Sequence, residues 1–240
     1  MSGFIRPLHL AAIAFVAHGD VASIYETNLI GSRNLLEAVV QAAVNPKAVL
    51  LASSANVYGN ATGGMLDEST PPAPANDYAV SKLAMEYVSR LFQDRMPIIV
   101  ARPFNYTGVG QTENFLLPKI VAHVRRKASI IELGNLNVAR DFSDVRMVVR
   151  CYRRLLEHPK AIGETFNVCS GKAHTLQEIL DAIRTISGHD FEVRVNPAFV
   201  RANEVKYLLG SRRKLEDLIG SITDTTLTDT LRWMIESIDQ

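Results

Sequence analysis

Three side chains in the first third of the sequence could together move a hydride and a proton. Tyr78 and Lys82 lie four residues apart in DYAVSKLAMEYVSRLF, a segment that reads as a helix, so both sit on one face a turn apart. An ammonium beside a phenol favours the phenolate and draws the tyrosine pKa down from about 10 toward the range of a general acid or base. Alone, the pair fits an exposed lysine next to a half-buried tyrosine equally well. Ser54 adds to it, because it directly follows the apolar run AVLLAS, at the end of a buried strand one loop earlier. A hydroxyl there can bond the carbonyl oxygen that Tyr78 protonates, although a serine at a strand end is also a common cap. As a set, Ser54, Tyr78 and Lys82 describe carbonyl–alcohol redox. Lys82 is also placed to hold a cofactor ribose, and the hydride must come from a nicotinamide, NAD(P)H.

The elements that must position these groups alternate in type. Residues 21–43 read as a helix through Ile24, Leu29, Leu35, Leu36, Val39 and Val40, stopped by Asn45-Pro46. Short apolar runs at 48–53, 97–105 and 164–169 read as buried strands. The helix carrying Tyr78 is expected to turn Ala79, Leu83, Val88 and Leu91 inward, with Asp77 as its cap. A further helix is expected over 144–158, and TLQE at 175–178 is a capping box opening a helix that runs to Gly188. Strands alternating with amphipathic helices predict an α/β chain: a Rossmann-like parallel sheet with helices on both faces, plus a smaller α/β lobe. Ligands bind beyond the carboxyl ends of such strands, which directs attention to His9–Ala12, Ser53-Ser54 and Arg102–Asn105.

Composition narrows the class. The chain has 240 residues, 47% hydrophobic and 21% charged, with 26 basic against 25 acidic residues. A net charge of +1 sets up no global field toward nucleic acid or an anionic membrane, so an anionic ligand must be met by a local cluster. The basic runs 125–127 and 212–214 are expected as solvated helix faces. The two cysteines, Cys151 and Cys169, fit no metal spacing and suggest a reducing cytosol. No metal is expected. The opening MSGFIRPLHLAAIAFVAHGD has the charged start and apolar core of a signal peptide, but His9 interrupts it, and Leu8–Ala12 also reads as a short strand.

HLAA, SSANVYG, YAVSK, ARPFN and NVARDFSDV resemble the extended short-chain dehydrogenase/reductases acting on nucleotide sugars, from about Leu8 to the C-terminus. ARPFNYTGVGQ, FNVCSG and VRANEVKYLLGS are most similar to the GDP-4-keto-6-deoxy-mannose reductases and the GDP-mannose 4,6-dehydratases. The resemblance implies a catalytic Ser54, Tyr78 and Lys82. It implies cofactor contacts from His9, Leu10, Ala11, Ala12, Ser53, Tyr78, Lys82 and Pro103. It also implies nucleotide-sugar contacts from Asn105, Arg140, Arg201 and Glu204. Guanidiniums suit a diphosphate and a carboxylate suits a ribose diol, although a surface ion pair fits either arginine as well. Residues 1–105 and 144–174 would form the cofactor domain, and 106–143 and 175–240 the sugar lobe. A homodimer through helices 21–43 and 78–93 is implied too.

Two positions depart from the pattern. Dehydration needs an extra acid/base carboxylate; the resemblance implies that in the dehydratases it sits two residues after the catalytic hydroxyl, and Asn56 stands there, which favours a reductase. The family's Gly-x-x-Gly-x-x-Gly turn is absent, since Gly3, Gly19 and Gly31 have no usable spacing. That predicts a missing stretch on the order of 60–70 residues, at about 30 per βαβ unit. It also predicts an edge strand at Leu8–Ala12, weak cofactor binding and little hydride transfer. The competing readings are a 4,6-dehydratase or epimerase, and a non-catalytic nucleotide-sugar-binding remnant.

Overall fold

In the computed structural model, the described residues are 5–14, 19–43, 45–59, 64–200, 205–223 and 225–237. Four parallel strands form the main sheet: β1 (Leu8–His9), β2 (Val49–Ala52), β3 (Ile98–Pro103) and β7 (Thr165–Val168), in the order β1-β2-β3-β7. Every residue of β3 is buried, as a strand covered on both faces requires. One face carries α5 (Val145–Glu157) and α7 (Arg213–Ile219), whose Met147, Leu155 and Leu215 pack with Leu50, Ile99 and Phe166. The other carries α2 (Ser32–Gln41) and α3 (Asp77–Arg90), where Leu36 and Met85 meet Val49, Leu51 and Ile98.

A second core fills the lobe. Helices α4 (Leu116–Arg125), α6 (Leu176–Ser187) and α8 (Leu227–Glu236) enclose Leu117, Ile120, Ile179, Ile183 and Leu231. Beside them, β6 (Ala139–Asp144) pairs in parallel with β4 (Asn105–Thr107) and β10 (Tyr207–Leu208), and antiparallel with β8 (Ala173–Thr175). A separate parallel pair joins β5 (Ile130–Leu133) and β9 (Glu192–Val195). The capping box at Thr175 and Glu178 forms as expected, and Gly188 closes α6 in the left-handed region.

Several expectations need correction. The segment 21–43 is not one regular helix: α1 (Val21–Tyr25) passes into a π-helical turn, Glu26–Gly31, before α2. The wider turn brings the side chain of Asn28 into the protein interior, where it is fully buried. Strand β1 stops at His9 rather than Ala12. Leu35 is exposed on α2, where Ser32 and Leu36 face inward, and Leu91 is 71% exposed because the inward face of α3 is taken by Tyr78, Lys82 and Glu86. The cap of α3 is Asn76, whose Oδ1 accepts the Ala79 N–H at 2.9 Å, while Asp77 accepts the Tyr25 hydroxyl at 2.9 Å. Arg125, Arg126 and Lys127 are exposed as expected, but Arg212 is half-buried and bonded to Glu216.

Candidate active site

A cavity of about 740 Å³ opens beyond the carboxyl ends of β1, β2 and β3. Ser53, Ser54, Tyr78, Lys82, Leu10, Ala12, Pro103, Asn105 and Arg140 all line it, so residues far apart in sequence converge on one volume. Two expected cofactor contacts do not. The His9 imidazole is bonded to Ser32 Oγ at 2.8 Å, and Ala11 is exposed outside the cavity lining. Arg201 and Glu204 lie outside the described residues.

Ser54 leaves β2 in an extended conformation and starts a short 3-10 turn, Ala55–Tyr58. Its Oγ accepts the Asn56 backbone N–H at 3.1 Å and the Asn56 side-chain amide at 3.2 Å. With both acceptor positions occupied, the hydroxyl hydrogen is left to donate. The serine is therefore both a cap and a cavity group. Gly59 ends the turn at φ +57°, where a Cβ would stand 1.7 Å from the Ala73 carbonyl oxygen, so only glycine fits against that backbone.

Tyr78 and Lys82 behave differently from the expectation. Burial pushes the Tyr78 phenol up to about 12, the Ser54 hydroxyl acts in the opposite direction, and the neighbouring Tyr106 phenol raises it further. The Lys82 ammonium donates to the Ala52 carbonyl at 2.8 Å, and burial brings it down to about 8. Lys82 thus does not convert Tyr78 to a phenolate here, and Tyr78 stands as a neutral proton donor. Burial, and then the charge of Lys82, lower the His9 pKa, so this imidazole stays neutral.

Other residues of the site carry no motif. The Asn28 side chain accepts the Ile13 N–H at 2.8 Å and donates to the Ile13 carbonyl at 3.1 Å and the Ser81 hydroxyl at 3.0 Å. It ties the loop after β1 to the residue before Lys82. Tyr106, Asn114, Lys119 and Phe199 also line the cavity. Asn105 donates to the Asp141 carbonyl at 3.2 Å, and Arg140 to the Ala139 carbonyl at 3.1 Å, which fixes both at the lobe side.

The cavity wall around Lys82 keeps hydrogen-bond donors for a ligand. An ammonium offers three donors, and the Ala52 carbonyl takes one of those of Lys82, leaving two for a diol. Leu10 and Ala12 give a small apolar wall on the same side. Residues 6–234 match the family described as GDP-mannose 4,6 dehydratase. The chain belongs to the GDP-mannose 4,6-dehydratase family. Among relatives in that family, it is 36% identical over 218 residues to the GDP-6-deoxy-D-talose 4-dehydrogenase of Aggregatibacter actinomycetemcomitans, covering 89% of this chain and 72% of that one. It is 35% identical over 236 residues to the GDP-6-deoxy-D-mannose reductase of Pseudomonas aeruginosa, covering 94% and 77%. The structure of RMD from Pseudomonas aeruginosa complexed with NADPH is 33% identical, with a TM-score of 0.88 over 96% of this chain and 80% of that one. Among the described residues there is no cluster fit for a metal, and no helix is long and apolar enough to cross a membrane.

Proposed function

We propose that this chain reduces the 4-keto group of a GDP-4-keto-6-deoxyhexose. The observation that carries the reading is a neutral, buried Tyr78 phenol beside the donating Ser54 hydroxyl, in one cavity with Lys82, Asn105 and Arg140. When bound, NAD(P)H supplies the hydride that carbonyl reduction requires. Ser54 and Tyr78 donate hydrogen bonds to the carbonyl oxygen. Tyr78 gives up its proton as negative charge grows there, completing the alcohol. Lys82 holds the ribose and steadies the phenolate that Tyr78 becomes. Asn105 and Arg140 orient the sugar nucleotide, as do Arg201 and Glu204 in this reading. The two relatives act on GDP-6-deoxyhexoses, which supports the substrate class. The two cores support residues 1–105 and 144–174 as the cofactor part and 106–143 and 175–240 as the sugar part, with α7 packed on the former.

Asn56 speaks against dehydration, since an amide cannot exchange a proton with the sugar, and here it serves to orient Ser54. The decisive assay mixes the protein with GDP-4-keto-6-deoxy-mannose and NADPH and follows nucleotide oxidation and product stereochemistry. Reduction at the 4-position supports the reading. Conversion of GDP-mannose to the keto sugar supports the dehydratase instead. Calorimetric binding of GDP-mannose with no NADPH binding or turnover supports the non-catalytic alternative.

A homodimer and a cytosolic location belong to the same proposal. Val80, Tyr87 and Leu91 form an exposed apolar row on α3, and Ile30 and Leu35 add to it from the neighbouring helix. Sedimentation should show a dimer that Leu91→Asp dissociates; a monomeric parent protein would overturn that part.

A further inference from the structure

Beneath the cavity lies a second polar cluster that the proposed chemistry does not use. Arg102 and Glu86 have side chains only 6% and 3% exposed. Arg102 donates through Nε to Glu86 Oε1 at 2.9 Å and through Nη2 to Oε2 at 2.7 Å, a bidentate fork. Its Nη1 donates to the Tyr58 hydroxyl at 3.0 Å, and Tyr58 in turn donates to Asn167 Oδ1 at 2.8 Å. The Ser53 hydroxyl donates to Glu86 Oε1 at 2.5 Å. Asn167 closes the chain by donating to the Leu66 carbonyl at 3.2 Å.

Four members sit next to a group of the site. Ser53 precedes Ser54, and Tyr58 ends the turn that Ser54 begins. Glu86 is one turn beyond Lys82 on the same face of α3, and Arg102 precedes Pro103 on the cavity wall. We propose that the Glu86–Arg102 pair is the positioning frame of the active site: it locks the end of β2 to α3, so that Ser54 meets Tyr78 and Lys82 at a fixed distance. This rests on the reductase reading for its kinetic consequence only. Stability alone is a weak reason for the pair, because a buried ion pair is often replaced by apolar residues of similar volume without loss. Direct tuning of Lys82 does not account for it either, since burial alone lowers the Lys82 pKa and the Glu86 charge is met by Arg102. The pair supplies direction: one bidentate fork and two hydroxyls leave β2, α3, β3 and β7 one relative placement.

The test is the double variant Glu86→Leu/Arg102→Met, which removes both charges and leaves none unpaired. Three quantities are read: melting temperature, kcat and KM with NADPH and the keto sugar, and the Lys82 titration by carbon-13 lysine NMR, assigned against Lys82→Arg. The double variant should stay folded, lose on the order of tenfold in kcat with both KM values held within about twofold, and titrate Lys82 clearly above its parent value. A folded double variant with parental kcat and parental Lys82 titration overturns the proposal. If the double variant does not fold, Tyr58→Phe decides, since it removes one hydroxyl from the frame and keeps the packing. A lowered kcat with an upward Lys82 shift then supports the frame, and parental values overturn it. A parent protein without turnover counts against the reductase reading, and the Lys82 titration alone then settles the frame.

Discussion

Two buried cations in this molecule are treated in opposite ways. Lys82 and Arg102 are 4% and 5% exposed. Lys82 has a neutral carbonyl as its hydrogen-bond acceptor, and its pKa falls to about 8. Arg102 has a carboxylate on two of its nitrogens and a phenol on a third, and its pKa rises despite burial. A buried cation held on each of its three nitrogens, two of them by a carboxylate, is scaffold. One left with unmet donors at a cavity wall is ready for a ligand and easily loses its proton. The difference follows from residue type too: a planar fork suits a carboxylate, whereas an ammonium on a flexible stem can change partners.

Single substitutions should separate the two by sign. Glu86→Gln leaves the guanidinium buried without its counter-charge and should lower the unfolding free energy by about 3–5 kcal/mol. Lys82→Met should do the reverse. A folded pKa of about 8 against 10.5 unfolded means that the folded state holds the ammonium at a cost of about 3 kcal/mol at pH 7. The methionine should recover part of that in stability while losing roughly a hundredfold or more in turnover. Denaturant melts of both variants at one pH check the pair of signs. Equal signs would remove the distinction.

The same contrast has a pH signature. Between the folded value of about 8 and the unfolded 10.5, the unfolded chain binds more protons at this lysine, so its contribution makes stability rise with pH across that window. Lys82→Met should flatten the rise, and no arginine variant should. Reductase activity should fall as pH climbs through about 8, because a neutral amine no longer steadies the phenolate. Denaturant midpoints from pH 7 to 11 and a kcat profile check both limbs.

The sequence made the reactive cation legible and hid the structural one. Tyr78 and Lys82 share a four-residue step, and Ser54 follows an apolar run, so periodicity and strand ends were enough. The alternation of buried runs with amphipathic segments likewise specified the parallel sheet. Arg102 sits inside a run otherwise apolar, and Glu86 looks like a helix surface residue until its partner across the sheet is known. One signal was available: Tyr78, Lys82 and Glu86 recur every fourth residue, so if the first two face inward the third must as well. Asn28 had no such signal, since a regular 3.6-residue helix would have aimed it elsewhere, and only the π-helical turn brings it to Ile13 and Ser81. The Tyr78 pKa was misjudged for a related reason. Spacing along a helix places two groups on one face, but it does not say that the ammonium will turn to the Ala52 carbonyl instead.

The N-terminus of α3 offers the smallest and cleanest test of the contrast between met and unmet polar groups. Asn76 and Asp77 are adjacent and both polar, but only the Asn76 side chain caps the helix, its Oδ1 accepting the Ala79 N–H. Asp77 instead bonds the Tyr25 hydroxyl across an exposed gap to α1, where water competes for both partners. Asn76→Ala should therefore cost about 1 kcal/mol, the usual value of a lost cap. Asp77→Ala should cost only a few tenths, about what an exposed hydrogen bond and a first-turn acid contribute. Because α3 carries Tyr78 in its first turn, the Asn76 variant should also lower turnover while the Asp77 variant leaves it near the parent value. A larger cost for Asp77 would restore it as the cap and move the start of the helix by a residue.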